Sequence, residues 1–237
     1  MEFWSAFQIA FDLITDLDTD LIEVVGLSLR VSLVALAISG LIGLPLGALL
    51  AITEFRGKHA AVVGVNALLA LPPVVVGLVV YMMLSNAGPF GWLQLLYSPT
   101  AMIIAQVILV TPIIVALSRQ TLEELNEFYS EQFASLGIFG LDRMLTLLFE
   151  ARHGLVTVML AGFGRAISEV GAVIIVGGNI NHVTRVMTTT IALETSKGDL
   201  GLALALGIIL LSLALLVNVA IASIKQLEGR MSHVYAH

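Results

Sequence analysis

The sequence contains no cysteine and little charge. Without cysteine, the chain can form neither a disulfide nor a thiolate nucleophile, and a cysteine-ligated metal cluster is excluded. Only 12% of its 237 residues are charged and 58% are hydrophobic, whereas soluble globular proteins have about 25% charged residues. So few charges cannot cover a surface that faces water. The composition therefore predicts an integral membrane protein.

Signatures of catalysis and of nucleotide binding are also missing. The histidines are scattered over loops and the tail and never have the spacing of paired metal ligands on one helix. Gly57-Lys58 is followed by His59 and lacks the upstream glycines of a phosphate-binding P-loop. The sequence has no basic stripe of the kind that would indicate nucleic-acid binding. The N-terminus lacks the positive leader of a secretory signal. We expect no catalytic residue, metal site or cofactor in this chain, so an ATP-driven step would need a separate subunit.

Five apolar runs are long enough to cross a bilayer, which takes about 20 residues in a helix. They are Val24–Ile52, Ala60–Leu84, Ala101–Leu117, Leu155–Val176 and Leu200–Ile224. The run Val186–Leu193 is too short to cross and predicts a re-entrant or surface helix. We therefore predict an all-α membrane protein with about five transmembrane helices. Its single domain, 24–230, follows an external segment, 1–23, and precedes a short tail, 231–237.

Basic residues favour the cytoplasmic ends of membrane spans, and here they are unevenly distributed. Only Arg185 and Lys197 lie in the loops of one side, where the loop 85–100 has no charge at all. The other side has seven: Arg56, Lys58, Arg119, Arg143, Arg152, Lys225 and Arg230. This distribution places the loop 119–154 and the C-terminus in the cytoplasm, and the N-terminus outside. The apolar residues between Phe3 and Ile14 are compatible with a helix on the outer membrane surface.

Small residues and prolines recur within the spans. Gly43–Gly47 and Gly164–Ser168–Ala172 place small side chains on one helix face, which allows a neighbouring helix to approach closely. The prolines lie inside spans or at their edges, where each removes a backbone donor: Pro45, Pro72, Pro73 and Pro112. Two interpretations are compatible with these prolines. They could serve as hinges for alternating access, or as static kinks that help the helices to pack.

The fourth span contains two charges, Arg165 and Glu169, which are four residues apart and so share a helix face. Because a lone charge at membrane depth costs about 2.5–3.5 kcal/mol, we expect the two side chains to neutralise each other. One interpretation is that the pair, with the neighbouring Ser168, lines or gates a polar pathway in which Arg165 attracts an anion. The other is a structural clamp that holds span four to a neighbour.

The loop after the fourth span is rich in glycine and hydroxyl groups. Thr188, Thr189 and Thr190 are candidate anion contacts, since hydroxyls and exposed backbone amides can hold an oxyanion. The alternative is that Gly177-Gly178-Asn179 only turns the chain and that the threonines belong to a short membrane-surface helix. The residues do not decide between these interpretations.

The polar stretch Glu123–Gly154 lies between apolar spans and contains the spacing Glu131-x-x-Ala134-x-x-Gly137, followed by Leu147-x-Phe149. This pattern resembles the cytoplasmic EAA loop of ABC-importer permeases, E-A-A-x-x-x-G, nine residues and then I-x-L-P. Gln132 and Phe133 replace the two alanines of that pattern, and Glu150 replaces its proline. Glu131 and Gly137 keep their places.

The next span strengthens the resemblance. Gly162–Ile180, GFGRAISEVGAVIIVGGNI, is similar to the corresponding helix of permeases for molybdate, sulfate and, most closely, tungstate. Thr184-Arg-Val-Met-Thr-Thr-Thr190 also resembles the tungstate branch. The resemblance implies a bundle like that of type I ABC importers, a homodimer of permeases and two cytoplasmic ATPase subunits that bind ATP-Mg. It further implies an extracytoplasmic oxyanion-binding protein.

In that family the EAA loop forms a coupling helix that docks in a groove of the ATPase. The resemblance therefore assigns coupling to Glu131, Ala134 and Gly137. An apolar ridge is expected from Phe128, Phe133, Leu136 and Ile138. The predicted function is the permease subunit of an ABC importer for tungstate, with molybdate, sulfate or another small anion as the alternative. A remote alternative is an ion-gradient-driven carrier or channel that uses Arg165 and Glu169 as a charged relay.

Overall fold

The computed structural model describes residues 3–15 and 19–234, with side chains at 7–9, 11–15 and 19–219. Within these ranges every long element is an α-helix and no β-strand occurs. Positions 235–237 of the predicted tail lie outside the described residues. The same is true of the side chains of Lys225 and Arg230, which contributed to the expected orientation.

The described chain forms eleven α-helices and one short 3-10 helix, Gly91–Leu93. The α-helices are α1 Phe3–Thr15, α2 Thr19–Ile52, α3 Lys58–Leu69, α4 Pro73–Leu84, α5 Pro99–Phe128, α6 Ser130–Leu136, α7 Gly140–Glu150, α8 Arg152–Ile167, α9 Gly171–Gly177, α10 Met187–Lys197 and α11 Leu200–Val234. The predicted all-α class is confirmed.

Among the described residues, three helices are long and apolar enough to cross a membrane: α2, α5 and the segment Leu200–Val219 of α11. Two bent pairs raise the number of spans to five if each pair counts as one span. They are α3 with α4, bent by 96°, and α7 with α8, bent by 74°. These numbers agree with the predicted count of about five.

The predicted second span, Ala60–Leu84, is not one helix. It is divided into α3 and α4, because a residue that precedes proline is driven out of the helical conformation. Helix α3 therefore ends at Leu69, before Pro72. Pro73 then occupies the first turn of α4, where its missing N–H would have had no helical partner.

Helices α2 and α5 run parallel and in close contact through the predicted small-residue face. A Cβ atom built on Gly43 would lie 2.8 Å from Ile114 Cγ2, and one on Gly47 would lie 2.0 Å from Ser118 Oγ. Nearer the other end of the pair, Val31 belongs to the same buried cluster as Met102. The close approach predicted from Gly43 and Gly47 is therefore confirmed.

Helices α8 and α9 run antiparallel to α5 and together cover the predicted fourth span. Gly154 lies against Thr121 at one end, and the Tyr97 amide donates a 3.0 Å hydrogen bond to the Val176 carbonyl at the other. The span thus lies where the sequence predicts it. It is not continuous, because the helix is interrupted at residues 168–170.

The first and last helices of the described chain pack against each other. Leu21 of α2, Met187 of α10 and Leu206 of α11 share a buried cluster, to which Ile9 and Leu13 of α1 contribute. The expected N-terminal helix is thus present, and it packs against α11. The short helix predicted at Val186–Leu193 is also present, as α10.

We predict that Gly47→Ala destabilises the bundle, because its added methyl group would meet Ser118 Oγ and lie 2.9 Å from the Val115 carbonyl oxygen. Overpacking of this kind costs about 1–3 kcal/mol. The matched control is Gly64→Ala on α3, where the added Cβ has no neighbour within 4 Å. The measurement is the thermal midpoint of each purified variant. Equal midpoints for the two variants would contradict the proposed close contact.

Candidate functional site

The ion pair predicted in the fourth span is present at the end of α8. Arg165 Nη2 lies 3.2 Å from Glu169 Oε2. The Glu169 side chain is only 4% exposed, whereas the Arg165 side chain is 36% exposed. The carboxylate is therefore held in the protein interior, and the guanidinium extends from it towards an open face of α8.

Three side chains form hydrogen bonds to backbone groups at the break between α8 and α9. Gln106 Nε2 of α5 donates to the Ala166 carbonyl at 3.0 Å, and Thr188 Oγ1 of α10 donates to the Glu169 carbonyl at 2.8 Å. Glu169 Oε1 accepts from the Ala172 amide at 3.1 Å and so caps the start of α9. Since water is absent at membrane depth, such partners are required there.

Gln106 was not among the residues singled out from the sequence. Gln106 is 3% exposed and lies on α5, so its side chain is buried inside the bundle. The available signal was its position, because it is the single amide side chain within the predicted span Ala101–Leu117. A buried amide needs a hydrogen-bond partner, and the break supplies one.

The three threonines expected to contact an anion face the protein interior. Thr189 is completely buried, and its hydroxyl accepts from the Val186 amide at 3.0 Å. Thr190 Oγ1 donates to the Val186 carbonyl at 2.8 Å. The Thr188 hydroxyl donates to the Glu169 carbonyl at the break. Thr188 and Thr189 are thus buried in this conformation, and the anion contacts at Thr188, Thr189 and Thr190 stay a prediction.

A polar groove lies between α5 and α8, with a volume of about 420 Å³. It is lined by Leu117, Gln120, Thr121, Glu124, Gly154, Thr157, Val158 and Ala161. On α8 the same helix face continues to Gly164 and the exposed Ser168. A Cβ on Gly164 would meet no atom within 4 Å. Small and polar side chains therefore form one open stripe along α8.

The segment expected to couple to a partner contains the short helix α6. It ends at Gly137, whose φ of 65° is a left-handed conformation that favours glycine. Glu131 and Ala134 of the motif are exposed. The large exposed apolar side chains of this region are Phe128, Leu136, Phe139 and Leu141, which are 63–75% exposed.

Two members of the predicted ridge lie elsewhere. Phe133 is 5% exposed, and Ile138 packs against the buried cluster that contains Phe133 and Leu147. The Arg143 guanidinium carbon lies 5.3 Å from the centre of the Phe133 ring. Arg143 Nε donates to Asn126 Oδ1 of α5 at 2.8 Å. The prediction that Phe133 and Ile138 belong to the exposed ridge is therefore wrong, because they anchor α6 to the bundle.

At the opposite end of the bundle, His182 joins the loop after α9 to α2. His182 Nδ1 lies 2.7 Å from Glu23 Oε2, and this hydrogen bond raises the pKa of His182 above its ordinary value. The contact therefore stabilises the fold below that ordinary pKa and is lost as pH rises through the raised one. Asp20 lies beside the pair, and all three residues are exposed.

Together these features define a multi-span membrane subunit with an open groove between α5 and α8 and an exposed apolar ridge at one end. Residues 43–227 match the protein family described as the binding-protein-dependent transport system inner membrane component. The match covers more than half of the chain, which belongs to this family. Members work with a substrate-binding protein and a separate ATPase, so a stand-alone carrier does not agree with this membership.

The chain is similar to three named permeases. It is 40% identical over 220 residues to the tungstate uptake system permease protein TupB of Peptoclostridium acidaminophilum, covering 93% of this chain and 96% of the relative. It is 36% identical over 173 residues to TupB of Campylobacter jejuni, covering 73% and 72%. It is 41% identical over 205 residues to a probable anion ABC transporter permease protein of Haloferax volcanii, covering 84% and 88%.

A charge-pair cycle distinguishes the clamp from the pathway interpretation of Arg165 and Glu169. Glu169→Gln leaves Arg165 without its counter-charge, at a cost of at most about 2.5–3.5 kcal/mol, so we expect less assembled protein and less transport. In the double variant Arg165→Gln/Glu169→Gln, assembly should recover because no unpaired charge remains. The measurements are the yield of membrane-inserted protein and the rate of uptake.

Recovery of both assembly and uptake in the double variant would identify a clamp. Recovery of assembly alone would identify Arg165 as part of the pathway. A Glu169→Gln variant with wild-type assembly and uptake would contradict both interpretations.

Proposed function

We propose that the chain is the membrane-spanning subunit of an ATP-driven tungstate importer in which two copies form the transport path. The observation that supports tungstate as the substrate is the 40% identity to the TupB relative over 93% of this chain. Molybdate is the second candidate, because it is also a tetrahedral oxyanion with two negative charges. In this proposal the chain provides the path, and the ATP-Mg that drives transport binds to a partner ATPase.

The open stripe on α8 supports a second copy of the chain as the other wall of the path. Thr157, Ala161 and Ser168 are exposed on one side of this helix, and small residues of this kind let another helix approach closely. Gly164 leaves room for the backbone of another helix to approach. Two stripes facing each other would enclose a polar path, with Arg165 of each copy near the break.

The ends of the bundle support the proposed orientation. Lys58, Arg119 and Glu123 meet at the same end as α6, where Lys58 Nζ lies 3.7 Å from Glu123 Oε1. Arg143 and Arg152 also belong to this end. The excess of basic residues favours the cytoplasm for this end. The N-terminus would then be outside, where the binding protein delivers its anion.

Coupling would begin at the exposed ridge beside α6. Phe128, Leu136 and Phe139 supply large apolar side chains for a groove of the ATPase, and buried Phe133 holds α6 against α5. ATP binding would draw the two copies of α6 together and open the bundle outward. Hydrolysis would then reset it. Glu131 lies in the first turn of α6, and Gly137 forms the turn that ends it.

The proposal is tested in vesicles that contain the permease, its ATPase and its binding protein. We expect tungstate uptake that requires ATP, and molybdate should compete only at higher concentration. Leu136→Glu should lower uptake at least about thirtyfold, because loss of a central apolar contact at an interface costs about 2 kcal/mol or more. Ser135→Glu is the matched control, since it adds the same charge beside the ridge.

Uptake of tungstate without the ATPase would overturn the proposed importer. Equal uptake by the Leu136→Glu and Ser135→Glu variants would leave the importer standing but contradict docking through the ridge. Preference for molybdate over tungstate would change the substrate and not the mechanism.

A second experiment tests the paired stripes. Gly164→Phe adds a large side chain where this chain alone has open space, so the monomer should fold while association of two copies fails. Gly64→Phe on α3 is the control, because that position is also open. We expect cross-linking in native membranes to show loss of the dimer only for Gly164→Phe. A dimer that survives this substitution would place the interface elsewhere.

A further inference from the structure

The face of α8 turned away from the polar stripe borders a large apolar groove. The groove has a volume of about 890 Å³ and lies between α2 and α8, with Val217 of α11 at its side. Leu33 and Leu41 of α2 form part of one wall, and Val156 and Leu160 of α8 form part of the other. Apart from Arg152, its lining residues are apolar or glycine.

The length of the groove corresponds to one leaflet of a bilayer. Its α2 wall extends from Leu33 to Pro45, which is about 18 Å at the helical rise of 1.5 Å per residue. Half of a hydrocarbon core is about 15 Å thick. At its floor the two helices are in close contact, because a Cβ atom on Gly40 would lie 2.7 Å from Met159 Cε. The open side is therefore a long, shallow channel suited to a hydrocarbon chain.

Arg152 lies at the end of the groove where α8 begins, the end proposed to be cytoplasmic. Its guanidinium carbon lies 4.5 Å from the centre of the Phe149 ring, and Nη1 donates to the Phe149 carbonyl at 2.9 Å. Within the described part of the chain Arg152 forms no ion pair, whereas Arg119 and Arg165 each pair with a carboxylate. A guanidinium has five N–H donors, so most of its donors are open to an anionic ligand.

We propose that this groove binds an anionic phospholipid of the inner leaflet, with an acyl chain along α2 and α8 and the phosphate at Arg152. Basic side chains between transmembrane helices at the cytoplasmic side suit lipid phosphates, and a guanidinium can donate two hydrogen bonds to one phosphate. The groove is long enough for an acyl chain, and Arg152 provides the positive charge that binds the phosphate. A lipid held there would fill the space between α2, α8 and α11.

A second copy of this chain fits the groove less well than a lipid does. Close helix contacts in membranes use small residues that let backbones approach, and those lie on the opposite stripe of α8. The groove walls carry leucine and valine side chains, of which Leu41 is 78% exposed. A flexible chain can follow such a surface more readily than a helix can.

The assembled transporter in vesicles allows a direct test with a tryptophan introduced by Leu41→Trp. Trp4 and Trp92, the two tryptophans of the chain, are replaced by Phe. The vesicles contain equal amounts of phosphatidylglycerol and phosphatidylcholine, and one lipid at a time carries bromine on its acyl chains, which quenches a tryptophan in contact. We expect about fivefold preference for the anionic lipid, as one basic residue near such a surface provides.

Arg152→Gln should reduce this preference to about one, and Arg152→Lys should retain most of it because the charge remains. Arg56→Gln is the matched control, since Arg56 is an exposed arginine at the same end that does not line the groove. Equal quenching by both lipids in the wild-type background would mean that the groove only faces bulk lipid. No quenching by either would mean that protein covers it. Either result overturns the proposal.

Discussion

A helix that breaks inside a membrane must find partners for its free backbone groups within the protein, because lipid offers none. The break at residues 168–170 imposes this constraint on three side chains. Gln106 of α5, Thr188 of α10 and the Glu169 side chain itself each satisfy one backbone group there. The arrangement of α5, α9 and α10 around the break follows from this requirement.

The same constraint explains why one charge is buried and the other is not. Glu169 caps α9 and must remain inside, where a carboxylate needs a counter-charge. Arg165, one helical turn earlier, provides that charge while its side chain remains 36% exposed. The pair thus has a structural role at its carboxylate end and is open to a ligand at its guanidinium end. The geometry is compatible with both interpretations drawn from the sequence, and the charge-pair cycle distinguishes them.

The sequence predicts the features of this fold that depend on composition and on spacing along one helix. Long apolar runs predict the spans, Gly43 and Gly47 predict a face that another helix can approach closely, and the four-residue spacing predicts the Arg165–Glu169 pair. Each needs information from only one segment. The break in the fourth span was missed, because no proline marks it and the residues that satisfy it are distant in sequence, as Gln106 and Ala166 are.

The errors at the candidate site have a similar cause. Phe133 and Leu136 both belong to the apolar part of the polar loop, and the loop alone does not show which of them faces the bundle. That choice depends on Arg143, which binds Asn126 of α5 and lies over the Phe133 ring. The threonines after α9 were ambiguous for the same reason. The sequence does not show whether a threonine hydroxyl forms its hydrogen bond with the backbone or with an anion. Tertiary contacts decide both cases.

One uninterrupted helix joins the two ends of the proposed mechanism. Helix α5 contacts the anchored segment around α6 through Asn126 and contacts the break through Gln106. These residues are about 30 Å apart at the helical rise of 1.5 Å per residue. A displacement of α6 carried by Phe133 and Arg143 must be accommodated along α5, in which Pro112 lies between Asn126 and Gln106. The break lacks regular helical hydrogen bonding and is held by single side-chain hydrogen bonds, so a displacement could be absorbed there more easily than within a helix.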